Sequence, residues 1–285
     1  MGKNEPALAA LGKRIAMEPH ILVLGAGPAG CAAAILLQKQ GFQVTLVDRK
    51  SATTDVAVPT IGESLSPDAK PLLQQLGVWD AFCADTHLKC YGNVSYWHSD
   101  VPQHHDFIQH PIGHGWHLDR TLFDARLLQH AQQMGVIYCP ETSIQNAEWK
   151  QDYWELVFQS NNAPTDALQP QFVVDATGRN SAFARQQEVE RLYEAEQLAL
   201  ITYLAIDSEF DDTRTLVETA GNGWWYTAVI PGNRMVTAYF CAPSPSERNA
   251  LQQPKNWQNL LDEAPQTALR VRNAHGVWLS KPWFA

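Results

Sequence analysis

At 285 residues the chain is long enough to bury a full core, in one large domain or two small ones. Its net charge of −9, with 45% hydrophobic and 18% charged residues, is that of an ordinary globular protein. It contains no basic run, which sets aside nucleic acid and anionic membrane surfaces as main partners. Ile21–Leu24 and Leu198–Ile206 are both too short to span a bilayer. Residues 1–16 carry Lys3, Lys13 and Arg14 without an apolar stretch of signal-peptide length, and read as a loose leader with Met17 as a second candidate start. Cys31, Cys83, Cys90, Cys139 and Cys241 are scattered, odd in number and without a C-x-x-C pair. That pattern fits a reduced, cytoplasmic setting with neither a disulfide framework nor a zinc site.

In chain order, His20–Leu24 reads as a buried strand that runs at once into Gly25-Ala-Gly27-Pro-Ala-Gly30. Cys31–Gln38 follows as a helix rich in small residues, Gly41 ends it, and Gln43–Val47 is the next strand, closing on Asp48. Residues 50–62 read as a loop and Pro67–Leu76 as an amphipathic helix. Tyr91–Trp97 and Asp106–His110 alternate like strands. Arg120–Met134 is a helix with Leu122, Phe123, Ala125, Leu127, Leu128 and Ala131 on its apolar face. Ile144–Trp149 and Tyr153–Phe158 form a hairpin pattern, and Phe172–Val174 is a short buried strand ending at Asp175-Ala-Thr-Gly178. Four strand-like runs follow at 198–206, 213–219, 224–230 and 234–240, then helical runs at Asn256–Leu261 and Thr267–Val271, and a start of a strand at Gly276–Leu279. This order predicts a discontinuous nucleotide domain, with a second antiparallel sheet assembled from the inserted pieces.

The motif Gly25-x-Gly27-x-x-Gly30 carries the first chemistry. Its first glycine allows a tight turn, the second lets backbone approach a pyrophosphate, and the third lets helix pack on strand, while the helix N-terminus offers N–H donors to an anion. Asp48 stands eighteen residues past Gly30 at the end of the next strand, where a carboxylate accepts ribose hydroxyls. Strand, helix and acid together satisfy the context that makes this a dinucleotide motif rather than a chance glycine turn. No Gly-Lys-Ser/Thr follows, so an NTPase phosphate loop is excluded. No Gly-x-Ser-x-Gly elbow exists either, which sets aside a serine hydrolase.

Four further segments make the chain resemble the FAD-dependent monooxygenases and halogenases with the p-hydroxybenzoate hydroxylase-like fold. They are Gly62-Glu63-Ser64-Leu-Ser-Pro67, Gly115-Trp-His-Leu-Asp-Arg120-x-x-Phe-Asp124, Asp175-Ala-Thr-Gly178-x-x-Ser181 and Gly223-Trp224-Trp225-Tyr226-Thr-Ala-Val-Ile-Pro231. The resemblance implies an α/β fold: a Rossmann-like FAD-binding domain over 17–66 and 111–185, with an antiparallel-sheet substrate domain over 67–110 and 186–285. It implies that Gly25, Gly27, Pro28, Ala29, Gly30, Asp48 and Arg49 hold the adenosine half of FAD. Arg120, Asp175 and Gly178 would serve the phosphate–ribityl arm, Glu63 and Ser64 would flank the ring, and Trp224, Trp225 and Tyr226 would face substrate. Each also has a plainer reading: Glu63 and Ser64 as a helix cap, Arg120 as a surface residue, Asp175–Gly178 as a turn, Trp224 and Trp225 as core.

Within that family the halogenase pattern Trp-x-Trp-x-Ile-Pro is absent, since Tyr226 and Ala228 stand where its tryptophans would fall. Lys89 is the nearest counterpart of the halogenase lysine, and its spacing favours a solvated surface residue. Tyr91-Gly-Asn-Val-Ser95-x-Trp97, Gly113–Arg120 and Gly223–Trp225 are closer to the flavoprotein maturases of the lysine-ε-oxidase and glycine-oxidase type. That likeness implies oxygenation of a tryptophan on a precursor protein, with NAD(P)H as reductant and O2 as oxygen source. A non-catalytic flavin-binding fragment is the reading from another class. Six histidines fall between His98 and His117, but alternating strands would split them between two faces, so no metal site is expected; His114 and His117 could instead face flavin or substrate. The family's Gly-Asp motif near the chain end has no counterpart in the sequence, which reads as a truncation.

Overall fold

The computed structural model describes residues 19–50, 61–160, 168–192, 197–242 and 244–284. The leader over 1–16, Met17 and most of the loop at 50–62 lie outside them. The chain divides into two compact units, one of Met1–Thr60, Leu76–Val78 and Thr121–Leu192, the other of Ile61–Gln75, Trp79–Arg120 and Tyr193–Ala285. The divisions expected at 66/67 and 110/111 therefore fall at 60/61 and 120/121, apart from the short piece Leu76–Val78. Residues 61–66 and 111–120 go with the second unit because Ser64–Leu65 and Gly115–His117 are strands of one small sheet there.

The first unit is built on a parallel sheet in the order Phe172–Asp175, His20–Leu24, Gln43–Val47, Ile137–Cys139. Its central strand is buried throughout, as a parallel strand covered on both faces should be. The helix Pro28–Lys39 returns the chain between the first two strands, burying Gly30, Cys31, Ala34 and Ile35. The hairpin Thr142–Trp149/Trp154–Ser160, with a register break between Val157 and Phe158, contributes Leu156 and Phe158 to a core with Leu22, Leu24, Val47 and Cys139. Ile137–Cys139 is too short to show periodicity.

The second unit centres on an eight-stranded sheet. Its order is Val277–Trp278, Leu198–Ala205, Arg234–Cys241, Gly223–Ile230, Thr215–Ala220, Gly92–Tyr96, Gln103–Asp106, and Trp283–Phe284 also pairs with Leu198–Ala205. All pairings are antiparallel except Thr215–Ala220 with Gly92–Tyr96. Alternation sends the side chains to two cores. Leu200, Trp225 and Tyr239 pack with Trp257 and Leu261 of the helix Pro254–Asp262. Ala199, Ile201, Tyr203, Ala228 and Ala238 form the other. The strand expected at Asp106–His110 is corrected: Gln103–Asp106 is the strand, and Phe107–Gln109 is a 3-10 turn that buries Phe107 and leaves Ile108 out. One buried ring followed by an exposed isoleucine imitates strand alternation in sequence.

Candidate functional site

In the first unit, Gly25, Asp48 and Asp175 all sit at the carboxyl ends of neighbouring parallel strands, the end at which open α/β sheets bind ligands. The three glycines are needed there for different reasons. Gly25 has φ +99°, and a Cβ on it would lie 2.5 Å from the Ala176 carbonyl oxygen. At Gly30 a Cβ would lie 1.8 Å from the Gly25 carbonyl oxygen, so helix and turn touch through backbone. Gly27 is the opposite case: it is the N-cap of the helix, and a Cβ there would meet nothing within 4 Å. Open space therefore adjoins a 12-residue helix that starts Pro28-Ala29-Gly30 without a side-chain cap. That arrangement fits an anion received by backbone N–H groups.

Asp48 ties this loop to its strand. Its Oδ2 accepts the Ala26 N–H at 2.6 Å and its Oδ1 the Lys50 N–H at 2.8 Å, which leaves lone pairs on both oxygens for further donors. Arg49 beside it is exposed. Cys31 is no nucleophile: burial, then the charges of Asp124 and Asp48, push its thiol up to about 12. Asp175 is engaged more fully. Its Oδ1 accepts Thr177 N–H and Oγ1–H, at 3.1 and 2.6 Å, and its Oδ2 accepts the N–H groups of Phe183 and Ala184, at 3.0 and 3.1 Å. Burial would raise its pKa, but these hydrogen bonds outweigh it and hold the carboxyl below the usual range. Asp175 thus stiffens the turn through Gly178, whose φ is +65°.

In the second unit, other expected residues meet around the small sheet Ser64–Leu65, Gly115–His117, Leu88–Cys90. Glu63 is buried and accepts the Tyr203 hydroxyl at 2.7 Å and the Gly62 N–H at 3.0 Å. Arg120 Nη1 donates to the carbonyls of Ile61 and Gly62, fixing that turn. The exposed Ser64 hydroxyl is 2.7 Å from the Tyr226 hydroxyl and 3.5 Å from Thr215 Oγ1, which in turn lies 3.0 Å from His117 Nε2. His117 is fully buried, and that burial pushes its pKa down to about 4, so the ring is neutral. Burial also raises the phenols of Tyr203 and Tyr226; neither is a ready base.

The three candidate aromatics separate. Trp224 and Tyr226 share one face, with Trp224 stacked on Phe240 at 4.0 Å and 5°. Trp225, expected on the substrate side, is corrected to the core: strand alternation puts it on the other face, fully buried against Tyr239 and Trp257. Lys89 is exposed on its strand. Sequence reasoning missed Thr215 and Tyr203, which only pairing across distant strands brings to Ser64 and Glu63. Among the described residues, no group of three or more His, Cys, Asp or Glu side chains comes together as a metal site, and no helix is long and apolar enough to cross a membrane.

The model of the FAD binding domain family matches residues 18–272. The chain belongs to this family. As an FAD-binding chain it is similar to the FAD-dependent oxidoreductase LodB of Marinomonas mediterranea, 25% identical over 255 residues that cover 89% of this chain and 68% of that one. It is also similar to a tryptophan 2-halogenase of Chondromyces crocatus, 31% identical over 180 residues, 61% of this chain and 33% of that one. Among solved structures, a flavoprotein/dehydrogenase from Cytophaga hutchinsonii superposes with a TM-score of 0.80, at 21% identity over 93% of this chain and 66% of its own. The flavin-dependent halogenase CmlS superposes at 0.81 and 20% identity, over 94% of this chain and 50% of its own. These likenesses show a shared fold. The chain spans between a third and about two thirds of the length of these relatives.

Proposed function

We propose that this chain works as the flavin-binding part of a monooxygenase-type oxidoreductase that oxygenates an aromatic, tryptophan-like substrate carried on a precursor protein. NAD(P)H is the reductant and O2 the oxygen source. The observation that carries the reading is the open space at Gly27, set between two glycines that sterics make obligatory. FAD, when bound, would supply the redox chemistry between the nicotinamide and O2. The chain's own residues do the rest. The N–H groups at the start of Pro28–Lys39 would receive the pyrophosphate, Asp48 would accept ribose hydroxyls, and Arg49 would add positive charge beside them. Asp175 would act by stiffening its turn, since its oxygens are already engaged. In the second unit the Ser64–Tyr226 hydroxyl pair would orient a polar substrate atom.

The precursor-protein substrate is supported by the maturase-like segments Tyr91–Trp97, Gly113–Arg120 and Gly223–Trp225, and by similarity to LodB along most of the chain. A second reading, a halogenase, is supported by the 31% identity to a tryptophan 2-halogenase. The test is to purify the chain, add FAD, record the flavin spectrum and follow NADPH oxidation. A colourless protein after FAD addition sinks the flavin reading, and bound flavin without NADPH consumption reduces the chain to a binding module. Mass gain of oxygen on a precursor protein supports the first reading. A halide-dependent product lost in Lys89→Ala supports the second.

A further inference from the structure

The eight-stranded sheet of the second unit ends on Gln103–Asp106, and all four residues of that strand are exposed. Among the described residues no strand pairs with its outer side. The ladder fixes which groups are left over. Phe107 N–H donates to the Tyr91 carbonyl, and His105 and Gln103 stand opposite Asn93 and Ser95. Bonded and non-bonded pairs alternate in an antiparallel ladder. His105 and Gln103 therefore bond inward, while His104 and Asp106 turn their N–H and carbonyl groups outward. Such an edge is a template for another extended chain unless lysine, proline or a bulge blunts it. This strand has none of these: it reads Gln-His-His-Asp, and its register against Gly92–Tyr96 is unbroken.

Tyr91, Trp97, Val101 and Ile108, which flank the two outer strands, are 56, 47, 70 and 89% exposed. Single apolar residues at a surface are ordinary, but these four crowd one hairpin and make a patch. Alternation from Asn93 and Ser95 carries Trp97 to the face of Trp224 and Tyr226, and its ring centroid is 6.1 Å from that of Trp224. A strand laid along Gln103–Asp106 would therefore send alternate side chains to the face that carries the Ser64–Tyr226 hydroxyl pair. Charge selects further. Residues 90–119 include Asp100, Asp106 and Asp119 and no lysine or arginine. Two copies joined edge to edge would bring carboxylates toward carboxylates, whereas a basic strand would meet them with opposite sign.

We propose that the outer strand Gln103–Asp106 docks an extended, lysine- or arginine-bearing segment of the protein substrate, which adds to the sheet as a further strand. Its purpose rests on the protein-borne substrate proposed above, while strand addition itself needs no flavin. Backbone hydrogen bonds at His104 and Asp106 supply the affinity. Side chains opposite Gln103 and His105 lie toward Trp97, and Asp100 and Asp106 supply the preference for a base.

The test is calorimetric titration of the full chain with three peptides. They are Ac-Thr-Lys-Trp-Lys-Thr-amide, the same peptide with glutamates for lysines, and the lysine peptide N-methylated at every internal backbone amide. The lysine peptide should bind saturably, and the N-methylated one, with the same side chains, should not. The glutamate peptide should bind about fivefold more weakly or worse, and Asp100→Asn should narrow that gap. His104→Pro removes an outward N–H that the inner ladder does not use, and should weaken the lysine peptide about three- to tenfold. Should proline disturb the hairpin, the N-methylated peptide against the parent chain remains the deciding comparison. No saturable binding at millimolar lysine peptide overturns the proposal, as does equal affinity for the N-methylated or the glutamate peptide. A concentration-dependent dimer that His104→Pro dissolves in sedimentation also overturns it, giving the edge to a second copy. Flavin absorbance on the same samples separates this outcome from the enzymatic reading. Peptide binding absent with flavin and NADPH oxidation retained breaks the docking edge, and peptide binding retained without flavin breaks the flavoprotein reading alone.

Discussion

The glycine loop of the first unit and the hydroxyl cluster of the second are both small polar constructions, held by opposite means. The loop is fixed by what cannot fit: at Gly25 and Gly30 an added Cβ would fall 2.5 and 1.8 Å from backbone oxygens. The cluster is fixed by what surrounds it. Ser64, His117, Thr215 and Tyr226 come from four strands, and are kept in hydrogen-bond order because two cores hold the sheet. A steric constraint tolerates almost no substitution, whether the blocking oxygen is near in sequence, as Gly25 is to Gly30, or distant, as Ala176 is to Gly25. A tertiary constraint tolerates change at the cluster itself and fails when the core behind it is emptied.

Four substitutions or conditions sharpen that contrast. Trp225→Ala should have the largest effect on stability, about 3–5 kcal/mol, as expected for truncating a fully buried aromatic. It should appear as a lower denaturant midpoint. A variant that keeps its midpoint but loses turnover would return Trp225 to the substrate side. Gly30→Ala should cost about 3 kcal/mol, the upper range for overpacking, because its Cβ would collide with rigid backbone. Retained flavin with an unchanged melt in that variant would mean the loop is not held by sterics.

Acid should then weaken the tertiary cluster. His117 stays unprotonated in the native state until pH approaches about 4, whereas the unfolded chain binds that proton near pH 6.5. Unfolding therefore takes up a proton in this window, and stability falls as pH drops from 6.5 toward 4, by at most about 3 kcal/mol from this group. His117→Gln should flatten that part of the profile measured by chemical denaturation. An unaltered slope would place the titrating group elsewhere, His20 being the other fully buried histidine. The smallest stability change is expected for Gly27→Ala, within about 0.5 kcal/mol, since its Cβ meets nothing. Yet it should weaken FAD binding in a flavin titration, because that open space is what the pyrophosphate needs. Equal FAD affinity in Gly27→Ala would break the assignment of the loop.

The nucleotide unit was readable because its signals are local. Strand, glycine turn, helix and Asp48 all fall within residues 20–48, and His20–Leu24, Pro28–Lys39 and Gln43–Val47 form there. The strands at 198–241 were equally clear from alternation. Elements too short for a period were not: Leu88–Cys90, Ile137–Cys139 and the helix Trp79–Ala84. The Ser64–Tyr226 and His117–Thr215 contacts span 162 and 98 residues, and nothing near either partner announces the other.

From the residues alone, then, came the dinucleotide motif and the alternation of the large sheet, because φ preferences and side-chain periodicity act over a few neighbouring positions. Folding in three dimensions decided which face each aromatic took: Trp225 into the core, Tyr226 toward Ser64, and Trp97 beside Trp224. Burial and cross-strand register are properties of packed neighbours distant along the chain, and a residue's own identity does not carry them.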